Sequence, residues 1–526
     1  MNLLGSSAGI WMLLALGVLT VTTGLPVWAL LIGVASAFAV AGLAAGVIDL
    51  NILSALPSRL VGLLEHDLLQ ALPLYVLVGV LLQRLPIADA IFTSLARLLR
   101  PLGAAPSLAA LGVGALVAPM NGSVASSSAL LSRLVGARLA HLAPSRAISL
   151  GAVAATIGVV VPPSLVLILL GDAMLRAHTE ASNLPGFKLG TQRIINTQDV
   201  FHAALLPALG VLALWGMVAW WQGRGQVVGA PAQGAPAQGA QACPSPQPSP
   251  QRGEGASALL ALAATAVILG LLAGVFTGKL FAVEAAATGG CLLVLGALAS
   301  RSLSWPQWRG VMADTLALSG ALIALLAGAT VFSLVLRLFG TDRLLAETLL
   351  STTLPPQLAA LLVLLLVTLC AWVLDAFEMI FVVIPIVAPP LVAMLGDAQQ
   401  AAVLLLLVLQ LSFLIPPMGY AILMARARAA SEPVALRQTL WQIFPALLPY
   451  ILAQLALACV VFLVPQSVHL LDGPQPTAQE SAPASQQDIE KQMREMAAPR
   501  DAPAESAAEL PAGGEPDGSV RNGPAK

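Results

Sequence analysis

Two stretches of this 526-residue chain set oxygen-bearing side chains inside long apolar runs. The first reads Asn121-Gly122-Ser123, followed by Ser126, Ser127 and Ser128. The second is Asp375 in TLCAWVLDAFEMIFVVIP, with Glu378 three residues on. A carboxylate at mid-membrane is costly unless it is paired or ion-bound, which makes Asp375 a functional candidate; it can also be an interfacial acid at a hairpin tip or a satisfied helix cap. Two further segments, Gly158–Ser164 with Pro162-Pro163 and Ile415–Gly419 with Pro416-Pro417, place a proline pair in an apolar run. Proline has no N–H and disrupts the turn before it, which frees carbonyl oxygens. Free carbonyls, an Asn oxygen and Ser hydroxyls make an oxygen-rich, dehydrated environment suited to Na⁺. Half-helix N-termini aimed at the same region favour an anionic group. The structural readings of the same residues are an ordinary Asn-Gly turn, serines that allow close helix packing, and kinks that only shape the bundle. Ser126 is the serine of the 126–128 trio nearest the tip, and Ser164 and Glu378 flank the other breaks.

Other chemistries lack their residues. The five histidines are scattered, and no pair has metal-ligand spacing. The four cysteines, Cys243, Cys291, Cys370 and Cys459, suggest neither a disulfide framework nor zinc. No GxSxG, HExxH or phosphate-binding Walker run is present, and Asp375 with Glu378 has no third partner, so an enzyme is not expected. A net charge of -1 gives no electrostatic case for nucleic acid.

The elements that must hold these residues are membrane helices. Hydrophobic residues make up 58% of the chain, charged residues only 10%, and mean hydropathy is +0.87. A soluble domain carries about 25% charged residues. So much apolar surface calls for a polytopic membrane protein, and long apolar runs that satisfy their own backbone call for helices rather than a barrel. Residues 9–48 are long enough for two crossings, broken near Pro26; the first run has no positive flank and reads as a retained span, not a cleaved leader. A span follows at 68–83, then an amphipathic interfacial helix at 87–100. Residues 104–140 and 146–178 are interrupted apolar segments, and 200–221 is an unbroken span. The pattern restarts with spans at 257–277, 280–300 and 316–338, interrupted segments at 357–396 and 400–428, and a last span at 441–464. The expected organisation is a first membrane repeat at 1–221, a disordered Pro/Gln/Gly/Ala linker at 222–256, a second repeat at 257–465 and a disordered polar tail at 466–526.

The halves match at a constant shift of 254 residues. Asn121 maps to Asp375, Thr156 to Gln410, Pro162-Pro163 to Pro416-Pro417, Pro101 to Pro355 and Pro86 to Gly340. Several helix-breaking features in one register point to duplication. If the first interrupted segment of each half folds as a hairpin that enters and leaves on one side, and the second crosses as a broken span, each half crosses five times, and an odd number inverts the second half. Basic residues agree: with the N-terminus outside, cytoplasmic loops hold 13 arginines from Arg84 to Arg437, and the opposite loops seven basic residues from Arg59 to Arg343. Both termini then face outward.

In their order and spacing these motifs resemble the large membrane subunit of tripartite ATP-independent periplasmic (TRAP) transporters, of the DctM type, over about residues 10–465. The carriers are LTVTTGLPVWALLIG, LPLYVLVGVLLQR at 72–84, NGSVASSS at 121–128, ATIGVVVPPS at 155–164, LDAFEMIFVVIPIVAPP at 374–390 and LQLSFLIPPMGYAIL at 409–423. The resemblance implies an all-α, elevator-type ion-transporter architecture with two inverted repeats, two re-entrant hairpins and discontinuous helices. It implies symport of an organic anion such as a dicarboxylate with Na⁺, with no other cofactor, in a bacterial inner membrane with both termini periplasmic. It implies two partners: a small four-helix membrane subunit, here a separate polypeptide, and a periplasmic binding protein that delivers substrate. By motif match, one ion site would use Asn121, Gly122 and Ser123 with Gly158 and Pro162. The other would use Asp375 with Pro416 and Gly419, and Ser126, Ser164 and Glu378 would face substrate. The family's first tip commonly reads like GSSVAT, so NGSVASSS is a departure there. The alternative is a stand-alone Na⁺- or H⁺-coupled carboxylate symporter that needs no binding protein.

Overall fold

The computed structural model describes residues 3–65, 67–121, 123–136, 142–162, 164–182, 184, 195–224, 254–350, 354–416, 419–429 and 439–471. The linker and tail expected at 222–256 and 466–526 lie almost wholly outside them. The described edges reach past those boundaries: one helix runs to Gly223, and Pro465–Val468 forms a 3-10 turn with Val468 buried. His469 then pairs with the Asp397 carboxylate at 2.6 Å, so ordered chain continues a few residues beyond 466.

All regular structure among the described residues is helical. In the first half, α1 (Leu3–Thr23) and α2 (Val27–Ala44) are separated where Gly24 takes φ +63 and Pro26 is extended. Short α3 (Leu50–Leu53) and α4 (Leu56–Leu64) lead into α5 (Asp67–Arg84), followed by amphipathic α6 (Ile87–Leu98). Then come α7 (Ala105–Asn121), α8 (Val124–Gly136), α9 (Pro144–Val160), α10 (Leu165–Ala181) and α11 (Thr197–Gly223). The second half holds α12 (Glu254–Phe276), α13 (Ala282–Ala299), α14 (Trp305–Leu338) and α15 (Thr341–Leu350). It continues with α16 (Pro356–Cys370), α17 (Ala376–Leu395), α18 (Ala398–Ser412), α19 (Tyr420–Ala429) and α20 (Leu440–Leu463). Among the described residues five helices are long and apolar enough to cross a membrane, or seven if two bent pairs each count as one span. The chain is a multi-pass membrane protein.

Several apolar helices are too short to cross. At 1.5 Å per residue, a 15-residue helix such as α16 or α18 spans about 22 Å, less than the roughly 30 Å hydrocarbon core. These short pieces flank the interruptions read from the sequence. Between α9 and α10 the chain leaves the helix at Val161, whose ψ is 118, and re-enters at Ser164 with a 42° change of direction. The Ser164 hydroxyl accepts from the Leu167 N–H at 3.1 Å, which caps the new helix.

The 254-residue shift registers the helices themselves. Moved by 254, the starts of α6, α9 and α10 fall at 341, 398 and 419, and helices begin at Thr341, Ala398 and Tyr420. Packing repeats in the same way, with the halves exchanged. α5 packs on α13, and its counterpart α14 packs on α2; α6 packs on α12, and α15 on α1. α10 packs on α17, and α19 on α8; α11 packs on α18, and α20 on α9. Contacts that come in exchanged pairs are the signature of an approximate two-fold relation. At its centre, the Gln410 amide donates to the carbonyl of Thr156, its own repeat equivalent, at 3.2 Å. Gln454 donates to the Gln410 Oε1 at 2.8 Å, so both ends of this buried amide are satisfied.

Candidate transport site

The first tip forms where α7 ends at Asn121 and α8 begins at Val124. The Ser123 carbonyl accepts from the Ser127 N–H at 3.0 Å, which starts α8. Gly122 and the Asn121 side chain lie outside the described residues. The second tip forms where α16 ends at Cys370; residues 371–374 turn, and Asp375 is extended at ψ 170 before α17 starts. The Glu378 carboxylate accepts from the Asp375 N–H at 3.0 Å and so closes the first turn of α17. That use of Glu378 is a capping one. The Oδ1 atom of Asp375 is buried and has no hydrogen-bond partner among the described residues.

A cavity of about 670 Å³ brings the tips together. Ser123, Ala125, Ser126 and Ala129 line it from the first tip and α8, Asp375 and Phe377 from the second. Leu165 adds the start of α10, so the N-terminal ends of three helices border one space. The remaining wall is α5, with Val76, Gly79, Val80, Gln83 and Arg84, and α14, with Asp314, Ala317, Leu318, Ala321 and Leu322. Gln83 donates to the Ser126 hydroxyl at 2.8 Å, tying α5 to the first tip. Arg84 forms an ion pair with Asp314. A smaller cavity, about 120 Å³, involves Leu69 of α5, Leu326, Thr330 and Ser333 of α14, and Ile380, Phe381 and Pro385 of α17. Beside it Arg337 of α14 pairs with Glu180 of α10.

Of the residues singled out in the sequence, Ser123, Ser126 and Asp375 meet in the large cavity. Gly158 lies elsewhere: a Cβ there would come within 2.5 Å of the Ala118 carbonyl, so this glycine lets α9 press against α7. Pro162 lines a small apolar void of about 40 Å³ with Tyr75, Pro119 and Met120. Ser164 is fully buried and engaged as a cap. Pro416 and Gly419 sit at the second break, where the Gly419 N–H returns to the Ile415 carbonyl at 3.1 Å. Gln83, Arg84 and Asp314 are additional lining residues. In the sequence Arg84 counts only as a loop charge at the end of a span, and Asp314 lies ahead of the apolar run that marks its span at 316–338.

A repeated helical bundle with a hairpin tip and a broken helix in each half, its two tips facing one cavity lined by polar and apolar residues together, belongs to the class of polytopic membrane transporters. Residues 12–467 match the family described as "Tripartite ATP-independent periplasmic transporter, DctM component", and the chain belongs to that family. It is 26% identical over 166 residues to the sialic acid TRAP transporter large permease protein SiaM of Vibrio cholerae serotype O1. That alignment takes in 31% of this chain and 38% of the relative, so the chain spans well under half the length of the curated relative it matches. Among solved structures, the YdaH transporter of Alcanivorax borkumensis, described as having an unusual topology, is similar with a TM-score of 0.55 at 18% identity. The likeness covers 81% of this chain and 91% of that one and is a likeness of fold.

Proposed function

We propose that this chain is the large permease subunit of a TRAP-type secondary transporter that imports an organic carboxylate with Na⁺. The observation that carries the reading is the convergence of Asp375 with Ser123 and Ser126 on one cavity. A buried carboxylate oxygen without a donor is costly, and a bound cation relieves that cost. Asp375 with the carbonyls freed near Pro416 and Gly419 forms one cation site; Asn121, Gly122 and Ser123, with main-chain carbonyls at the break between α9 and α10, form the other. The substrate carboxylate then meets the Ser126 hydroxyl and the helix N-termini at the cavity wall. Moving one charge through 100 mV is worth about 2.3 kcal/mol, so two Na⁺ would supply roughly 4.6 kcal/mol without ATP for a neutral solute, and less for an anion, whose own charge moves against the field.

Two inverted repeats let the loaded tips move against a scaffold of the early spans, in a bacterial inner membrane with both termini periplasmic. A periplasmic binding protein and a small four-helix membrane subunit complete the system. The test is uptake of succinate, malate and N-acetylneuraminate into proteoliposomes under imposed Na⁺ or H⁺ gradients, with and without the two partners. Uptake that needs Na⁺ and the binding protein is expected. Uptake by this chain alone would make it a stand-alone symporter instead, and indifference to Na⁺ would end the coupling assignment.

A further inference from the structure

The charges on the wall of the large cavity are unequal in kind. Among the described lining residues there is one cation, Arg84, against two carboxylates, Asp314 and Asp375. The three come from three helices far apart in sequence: Arg84 ends α5, Asp314 lies in the first third of α14, and Asp375 precedes α17. Arg84 and Asp314 are paired with each other, yet their side chains keep 34% and 51% of their exposure. A pair so well hydrated is weakly held, and either member can be released into water at small cost. A guanidinium also presents a planar fork matched to carboxylate geometry.

We propose that Arg84 is the anion-selecting residue of this cavity, and that Asp314 is a resident counter-ion which an incoming carboxylate displaces. The assignment rests on the reading that an organic anion occupies the cavity. With Asp375 ionised the lining carries a net charge of -1, so an anion entering first meets repulsion. A cation at Asp375 cancels that charge. The guanidinium then exchanges one carboxylate partner for another, and Asp314 returns to water. Gln83, the residue before Arg84, already holds the Ser126 hydroxyl, so the exchanged carboxylate meets Arg84 and Ser126 along one wall.

The two members of the pair thus have opposite effects on anion binding. That distinguishes this role from a structural ion pair, in which removing either partner harms the protein alike. The experiment measures binding of succinate, malate and N-acetylneuraminate to the full chain in lipid nanodiscs at saturating Na⁺. Arg84→Gln should weaken binding of whichever of these the wild type takes by about ten- to hundredfold. Arg84→Lys should restore part of the loss, keeping the charge without the fork. Asp314→Asn should tighten binding, by up to about fivefold. Unchanged affinity in Arg84→Gln, or weakening in both Arg84→Gln and Asp314→Asn, overturns the assignment while leaving the carboxylate reading intact. Should no carboxylate bind the wild type saturably, the carboxylate reading fails and this assignment falls with it.

Discussion

The two hairpin tips share a register and divide the chemistry between them. Shifted by 254, Ser123 falls on Phe377, Ser126 on Ile380 and Asn121 on Asp375. The first tip offers hydroxyls, one of them held by Gln83. The second offers a carboxylate whose Oδ1 has no hydrogen-bond partner among the described residues. Both face the same cavity. Duplication therefore fixed the backbone device, a break in a membrane helix, while the side chains went separate ways. One copy came to carry neutral oxygens and the other the charge. The breaks between the paired helices differ too: Gly158 of the first half corresponds to Ser412 of the second, which is fully buried and bonded to the Val408 carbonyl at 2.6 Å.

Asp375→Asn makes the second tip resemble the first and is the harshest test of this division. Na⁺-dependent uptake in proteoliposomes should fall by at least about a hundredfold, because the carboxylate that faces the cavity from the tips is gone, and membrane insertion should be unaffected. Wild-type uptake in this variant would show that the division is decorative. Gly158→Ser imports the second half's residue into the first. The close Ala118 carbonyl should make it cost about 1–3 kcal/mol, seen as a lowered midpoint in thermal unfolding, whereas Gly151→Ala on the same helix meets no atom within 4 Å and should be neutral or slightly stabilising.

The contact at the repeat axis gives an unequal pair of outcomes. Gln410→Leu removes one donor from the Thr156 carbonyl and one acceptor from Gln454, whose amide keeps the Leu407 carbonyl at 3.3 Å, and should cost about 1–3 kcal/mol. Thr156→Val should cost less, about 1 kcal/mol, since the contact uses the Thr156 main chain and its hydroxyl donates locally to the Val153 carbonyl. Equal losses would mean that the axis treats its two sides alike. Smallest is Glu378→Gln: the amide oxygen can still accept from the Asp375 N–H, so uptake should stay within about threefold of wild type. A loss on the scale of Asp375 would move Glu378 from cap to ligand.

The sequence revealed where the helices stop better than what surrounds the stops. The proline pairs at 162–163 and 416–417, the Asn-Gly tip and Asp375 interrupt apolar runs, and each of these interruptions lies at or beside a helix end, because the local backbone chemistry is decisive there. The cavity was only partly legible. Ser123, Ser126 and Asp375 stand out as polar residues within apolar runs. Arg84 and Asp314 do not: they pair across 230 residues, and no local pattern tells which face of α14 meets the end of α5. Gly158, Pro162 and Ser164 show the converse. Glycine, proline and serine at a helix break can feed a site or serve packing and capping, and only their neighbours decide which. The span expected at 316–338 begins at Trp305, since Ser304 and Gln307 close a cap ahead of the apolar run, with the Gln307 Oε1 accepting from the Ser304 N–H at 2.8 Å.

The amide of Gln410 meeting the main chain of Thr156 bears on ancestry. Where a residue touches its own duplicate, the seam has the form of a homodimer interface enclosed within a single polypeptide. Two identical side chains at such a point must each satisfy the other in the same way. Once one gene encodes both sides that obligation lapses, and a donor on one side can be matched to an acceptor on the other. The threonine opposite a glutamine is the mark of that freedom, placed where twin chains would have been most tightly bound to sameness.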